Sequence, residues 1–226
     1  MKKKQQSGSA CKQVRKQKHK IVIGIDQSYA DSGIAVVFDR RLMAVRDCKP
    51  SVGCSNTERR ALLRQALTRV FSMMQRKASE IQNCEVICII ERIRLQSAKP
   101  GEQHFLNLDY IKGIGALNAL IVDLAHEYQI PVYSVDTRSW KSQVIGSSRP
   151  GRNRYGFPEE KWPTIQWCLD QGYSWLIAEQ ASPRKKKAVI ERDGERWTYN
   201  DNKADAIGIA MYGFINPVNQ KLEEEH

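Results

Sequence analysis

The run Lys20-Ile21-Val22-Ile23-Gly24-Ile25-Asp26 constrains the fold more than any other part of the chain. Its apolar, largely β-branched core is too short for a helix and has no polar face, so it reads as a buried strand. It ends on a carboxylate, which belongs in a core only beside a partner, a metal or solvent. The same pattern returns at Glu85-Val86-Ile87-Cys88-Ile89-Ile90-Glu91. Two buried strands that each stop at an acid bring those acids to one sheet edge if the strands are neighbours.

The segments between and after them complete one sheet. Gly33–Asp39 reads as a second strand and Leu42–Arg46 as a third, so the opening is an antiparallel meander. Pro131–Val135 supplies a fifth strand. Ser55-Asn56-Thr57-Glu58 has the form of a capping box, and Leu63, Leu67, Val70, Phe71 and Met74 follow at helical spacing. A helix is therefore expected over about 57–79. A second is expected over 107–128, where Gly113 and Gly115 lower the propensity and suggest close packing or approach to a ligand. Residues 146–158 have loop composition, and a short helix should follow from Glu159 to about Leu169. Asp193-Gly194 suggests a hairpin turn. The last helix runs from about Asn202 to Ile215, ended by Asn216-Pro217. The expected class is α/β: a mixed five-stranded sheet flanked by helices.

Charge separates the ends of the chain. Of 36 Lys plus Arg against 25 Asp plus Glu, eight basic residues and no acid fall in residues 1–20. Residues 1–19 read as a disordered basic arm, suited to solubility or to a polyanion such as nucleic acid. They lack an apolar signal core, and no run reaches the roughly 20 apolar residues of a membrane span, so a cytoplasmic protein is expected. The six cysteines form no CxxC pair, which argues against structural zinc and, without a secretion signal, against disulfides.

Asp205, in the first turns of the final helix, adds a third acid. Residues three or four apart share a helix face, so Asp205 can pair with Asn202 or Asp201. Such oxygen ligands suit a hard cation such as Mg²⁺, and two ions support phosphodiester hydrolysis. Each residue also has a plain alternative. Asp26 suits a turn, Glu91 suits a surface pair with Arg92 or Arg94, and Asp201 or Asn202 suits an N-cap.

Ile23-Gly24-Ile25-Asp26-Gln27-Ser28 followed by Ser32-Gly33-Ile34-Ala35 resembles the first motif of the RuvC-like Holliday-junction resolvases. Ile89-Ile90-Glu91 resembles their second acidic motif, and Asp205-Ala206-Ile207-Gly208-Ile209-Ala210 resembles their last helix. The match runs in order over roughly residues 20–215. It implies a ribonuclease-H-like fold and a metal-dependent endonuclease that nicks four-way or otherwise branched DNA as a homodimer. It also implies catalytic lysines: Lys141, in Trp140-Lys141-Ser142-Gln143-Val144-Ile145-Gly146, and Lys161, after Glu160. Asp26, Glu91 and Asp205 would hold two Mg²⁺ ions, with Mn²⁺ possible. Asn202 stands where the family carries a further acid or His, and Asp201 lies one residue earlier, so the fourth ligand is open between them.

On this reading residues 20–216 are the nuclease domain, with a basic insertion around 172–200, and 217–226 are a C-terminal tail. The arm and the insertion resemble phage-type relatives. Arg149, Arg152 and Arg154, with Arg184, Lys185, Lys186 and Lys187, are expected to hold DNA phosphates. Tyr155, Phe157, Trp162 and Trp140 are candidates to stack on unpaired bases, or else packing residues. Competing readings are a ribonuclease H on RNA–DNA hybrids and a catalytically silent DNA-binding protein. The sugar-kinase and actin-like ATPase fold needs a second domain and a second phosphate loop, which this sequence lacks.

Overall fold

The computed structural model describes residues 18–28, 30–92, 108–146, 153, 155–183 and 188–215. Strand β1 (His19–Asp26) is buried from Ile21 to its end. It pairs antiparallel with β2 (Ser32–Phe38), which pairs antiparallel with β3 (Arg41–Cys48). On its other side β1 runs parallel to β4 (Cys84–Glu91), and β4 runs parallel to β5 (Val132–Val135). The order is β3-β2-β1-β4-β5, the mixed five-stranded sheet expected. Its centre explains the uninterrupted apolar runs of β1 and β4, which have a strand on each side and a helix layer on each face.

Period-2 alternation divides the sheet between two cores. Ile21, Ile23 and Ile25 pack with Val86, Cys88 and Ile90 under helices α1 (Asn56–Glu80) and α2 (Leu108–Glu127). Helix α1 buries Leu63, Leu67, Val70 and Phe71, and it opens on the expected capping box. Ser55 Oγ accepts from Glu58 N at 3.3 Å, and Glu58 Oε2 accepts from Ser55 N at 2.7 Å. Among the described residues a Cβ on Gly115 would meet nothing within 4 Å, so the close packing considered for it is not seen there.

Val22, Ile87 and Ile89 face the other core. It holds α3 (Thr137–Trp140), a π turn at Lys141–Ile145, α4 (Trp162–Asp170), α5 (Ser174–Ile177) and α6 (Asp201–Ile215). A small second sheet is made of β6 (Ala178–Gln180), β7 (Ile190–Arg192) and β8 (Glu195–Tyr199), ordered β6-β8-β7. The hairpin read from Asp193-Gly194 joins β7 to β8, with both residues at positive φ (53° and 78°), the conformation of a type I′ turn.

Helix α6 reaches the sheet through small residues. A Cβ on Gly24 would stand 2.4 Å from Ala206 O and 2.5 Å from Ala210 N, and one on Gly33 would stand 2.0 Å from Asn202 O. From the helix side, a Cβ on Gly208 would lie 2.4 Å from the Trp140 ring, and one on Gly213 within 2.9 Å of Val22. These contacts place the first two turns of α6 over the carboxyl end of β1.

Candidate active site

The face that carries Val22 and Gly24 also carries Asp26, and the face that carries Ile87 and Ile89 also carries Glu91. Ile25 is in register with Ile90, so Asp26 and Glu91 end neighbouring parallel strands on the α6 side. Helix α6 is capped by Asn200, whose Oδ1 accepts from Lys203 N at 3.0 Å. The capping roles considered for Asp201 and Asn202 thus fall to the residue before them. Asp205, one turn in and next to Ala206, comes down over the end of β1.

The acids are close enough to oppose one another's ionisation. Burial pushes the Asp26 carboxyl well above its ordinary range, and the charges of Asp205 and Glu91 push it further; Lys161 and Lys141 oppose the shift. Burial likewise raises Asp205, with Glu91 adding to the effect. Lys141, the Thr164 hydroxyl and Lys161 act against it. All five residues expected to be catalytic therefore share one electrostatic neighbourhood.

Several neighbours fix these groups. Lys141 Nζ lies 3.7 Å from Asp205 Oδ1 and 5.2 Å from the Trp140 ring centre. Lys161 pairs with Asp201 Oδ2. The Trp140 indole donates to Glu91 Oε1 at 3.2 Å. The Gln27 amide donates to the Glu91 carbonyl and accepts from Glu91 N at 3.1 Å, extending the β1–β4 ladder past Asp26. Neither Gln27 nor the indole contact was legible in the sequence, where Gln27 read as part of a turn.

Asp201 and Asn202 are separated by the helix. Asp201 shares a face with Asp205, four residues on, and reaches Lys161. Asn202 hydrogen-bonds Asp31, which also accepts from Asn200 Nδ2 at 3.1 Å.

Among the described residues, no three His, Cys, Asp or Glu side chains are already drawn together as a metal-holding group. Glu91, Asp205 and Asp201 are instead turned to Trp140, Lys141 and Lys161. The donor set nonetheless fits a hard cation: the groups are carboxylates, they resist sharing negative charge, and buried Asp205 Oδ1 has no hydrogen-bond partner among the described residues.

Two expectations about DNA contacts fare differently. The aromatic residues are packing residues: Trp140, Phe157 and Trp162 are 0%, 7% and 3% exposed, and Tyr155 packs edge-on against Trp162 and Tyr199. They fill the space between α4, α6 and the small sheet, so they are not available to bases. Arg149, Arg152, Arg154, Arg184, Lys185, Lys186 and Lys187 lie outside the described residues, as do residues 1–17 and the tail from 216. The described cysteines are free thiols. No helix among the described residues is long and apolar enough to cross a membrane.

No family model and no curated protein matches the chain. Solved structures do. Thermus thermophilus RuvC in complex with a Holliday-junction substrate is 16% identical, over 85% of this chain and 90% of that one, with a TM-score of 0.52. A second structure of Thermus thermophilus RuvC is 18% identical over 84% and 91%, with a TM-score of 0.47. A Ppx/GppA family protein of Aquifex aeolicus is 11% identical over 56% and 38%, with a TM-score of 0.33. At such identities the likeness is one of fold. The strand order and the crossing of α6, with the likeness to the first of these structures, define an α/β fold of the ribonuclease-H-like kind.

Proposed function

We propose that this chain is a divalent-metal-dependent endonuclease of the RuvC-like kind, cutting four-way junctions or other branched DNA. The observation that carries the reading is that Asp26, Glu91 and Asp205, from β1, β4 and α6, lie near enough to feel one another's charge, with Lys141 and Lys161 in the same neighbourhood. Asp26, Glu91, Asp205 and Asp201 would hold two Mg²⁺ ions, or Mn²⁺. Asp201 is preferred to Asn202 because it shares the Asp205 face, whereas Asn202 is engaged by Asp31. When bound, the ions lower the pKa of a water and stabilise the leaving 3′-oxygen, giving 5′-phosphate and 3′-hydroxyl ends.

The protein's own groups do the rest. Gln27 and Trp140 hold Glu91 in place through its backbone and one carboxylate oxygen. Lys141 and Lys161, with side chains 28% and 41% exposed, are placed to offset charge on the scissile phosphate. The basic arm, Arg149, Arg152, Arg154 and the Arg184–Lys187 run supply phosphate contacts. Paired nicks across a two-fold junction call for a homodimer, with α1 or α2 at the interface. Acting on DNA, it would work in the cytoplasm of a bacterial or phage-infected cell.

The test is a cleavage assay with Mg²⁺ on a mobile four-way junction, a flap, a linear duplex and an RNA–DNA hybrid, beside an Asp26→Asn variant. Paired junction nicks, lost in the variant with binding kept, are expected. Preferential hybrid cleavage would make the protein a ribonuclease H. Tight binding without cleavage in Mg²⁺ or Mn²⁺ would reduce it to a DNA-binding protein.

A further inference from the structure

The four aromatic residues first considered for base contacts are packed or buried, but another pair is not. Trp175, in α5, is 54% exposed, and Leu176 beside it is 46% exposed. The Trp175 ring meets Trp197 edge-on at 5.9 Å and 88°, and the Arg192 guanidinium lies 4.3 Å from its centre. Alternation in the small sheet puts Ile190, Arg192, Trp197 and Tyr199 on one face, because Ile190 pairs with Trp197. Ser174, Ala178 and Tyr199 complete a shallow recess under Trp175. The opposite face of β8 turns Thr198, 1% exposed, into the molecule.

We propose that this face, with Trp175 laid against Arg192 and Trp197, is a stacking platform for an unpaired base of a nucleic-acid strand. The proposal rests on the reading of the chain as a nuclease of branched DNA and names where unpaired DNA goes.

Charge and position argue for this occupant. Residues 183–199 carry six basic and three acidic side chains. Four of the basic residues, Arg184–Lys187, stand between β6 and β7 in the sequence. Tyr199, on the platform, precedes Asp201 by two residues, so a strand stacked here lies next to the carboxylate site. Tryptophan and arginine planes accept any base by stacking, which suits a site that holds a strand without reading its sequence.

The experiment measures binding without divalent metal, by anisotropy and by quenching of tryptophan emission. The probes are an oligothymidylate of about twelve nucleotides and an abasic oligomer of equal length and charge. The wild type should prefer the thymidylate and be quenched by it. Trp175→Ala should bind it roughly 5- to 100-fold more weakly while binding the abasic oligomer as before. Trp175→Phe, which keeps a ring, should recover most of the loss. Because Trp175 is more than half exposed, Trp175→Ala should lower the melting temperature only slightly.

Equal binding by wild type and Trp175→Ala, or no preference for bases over abasic sugar, would overturn the platform and leave the face to a protein partner. The two readings fail separately. A wild type that nicks junctions while Trp175→Ala binds and cuts as well as it does refutes only the platform. Base-dependent binding through Trp175 with no cleavage in Mg²⁺ or Mn²⁺ refutes only the nuclease.

Discussion

Replacing Gly24 by Ala tests whether helix–sheet contact is what assembles the candidate site. The new Cβ would fall 2.4 Å from Ala206 O, 2.5 Å from Ala210 N and 2.8 Å from Ala210 Cα. All three are backbone atoms, so no side chain can swing aside. Ordinary contact begins near 3.4 Å, so α6 must retreat by about 1 Å. Overpacking of this kind costs about 1–3 kcal/mol, and for a domain of this size each kcal/mol lowers Tm by roughly 2–4 °C. A loss of about 2–12 °C is expected. Asp205 adjoins Ala206 and moves with it, and a misplacement of about 1 Å at a reacting centre costs roughly a hundredfold in rate. The assay is kcat/KM for junction nicking, read well below the variant's Tm so that unfolding does not contribute. Gly115→Ala is the control: none of the described residues lies within 4 Å of its Cβ, so the helix propensity is what changes and Tm should hold or rise slightly. A Gly24→Ala protein with wild-type stability and rate would refute the seating of α6 on β1. One that is destabilised but fully active would refute the alignment of Asp205 by that contact.

Three further outcomes follow from the site. Asp26 and Asp205 hold their protons more tightly folded than unfolded, so their contribution to stability is present in acid and is lost as pH rises through the raised folded values. Asp26→Asn should therefore melt higher than wild type at neutral pH without metal, and the gap should close in acid; a gap that widens in acid contradicts this. Mg²⁺ at a hundredfold excess over its Kd should add about 2.7 kcal/mol to the wild type, or roughly 5–11 °C, and little to Asp26→Asn, as scanning calorimetry would show. Gln27→Ala removes both hydrogen bonds to the Glu91 backbone; a loss of about 1–2 kcal/mol in chemical denaturation with a larger fall in kcat than rise in KM is expected, and unchanged kcat would deny Gln27 a positioning role. Burial pushes the Cys48 thiol up to about 11 and the Cys88 and Cys168 thiols higher still, so a thiol reagent at neutral pH should label none of the three until the protein unfolds.

The sheet was legible because its central strands are buried on both faces, which leaves runs such as Ile21–Ile25 and Val86–Ile90 with nothing polar in them. The acids at their ends were legible for the same reason, since a charge closing such a run needs a cause. What was not legible depends on contacts distant in sequence. The Trp140 indole reaches Glu91 across 49 residues, and the Gln27 amide reaches it across 64. Base stacking and packing both stayed open for the aromatic cluster because composition cannot say which side of α4 and β8 faces inward; Phe157 stacks on Trp162 and on Tyr199, and Trp175 stays outside. The choice between Asp201 and Asn202 turned on the cap. With Asn200 as N-cap, Asp201 meets Lys161 and Asn202 meets Asp31.

The glycines and the lysines solve one problem from two sides. Bringing Asp205 to Asp26 and Glu91 sets like charges together where burial already disfavours them. Nothing in the carboxylates themselves favours that approach. Helix α6 is held there by apolar packing of Ile207, Ala210 and Gly213 against Val22 and Ile89, and by the absence of any Cβ at Gly24 and Gly33. Lys141 and Lys161 supply the nearest opposing charge, from a π turn and a helix start that belong to neither the sheet nor α6. Neutralising either lysine should therefore raise the protonation of the acid cluster as well as remove a cation from the phosphate. A pH–rate profile of Lys141→Gln separates these effects. A shift of the acidic limb to higher pH marks the loss of Asp205's partner, and a uniform drop without a shift would mean that Lys141 acts on the phosphate alone.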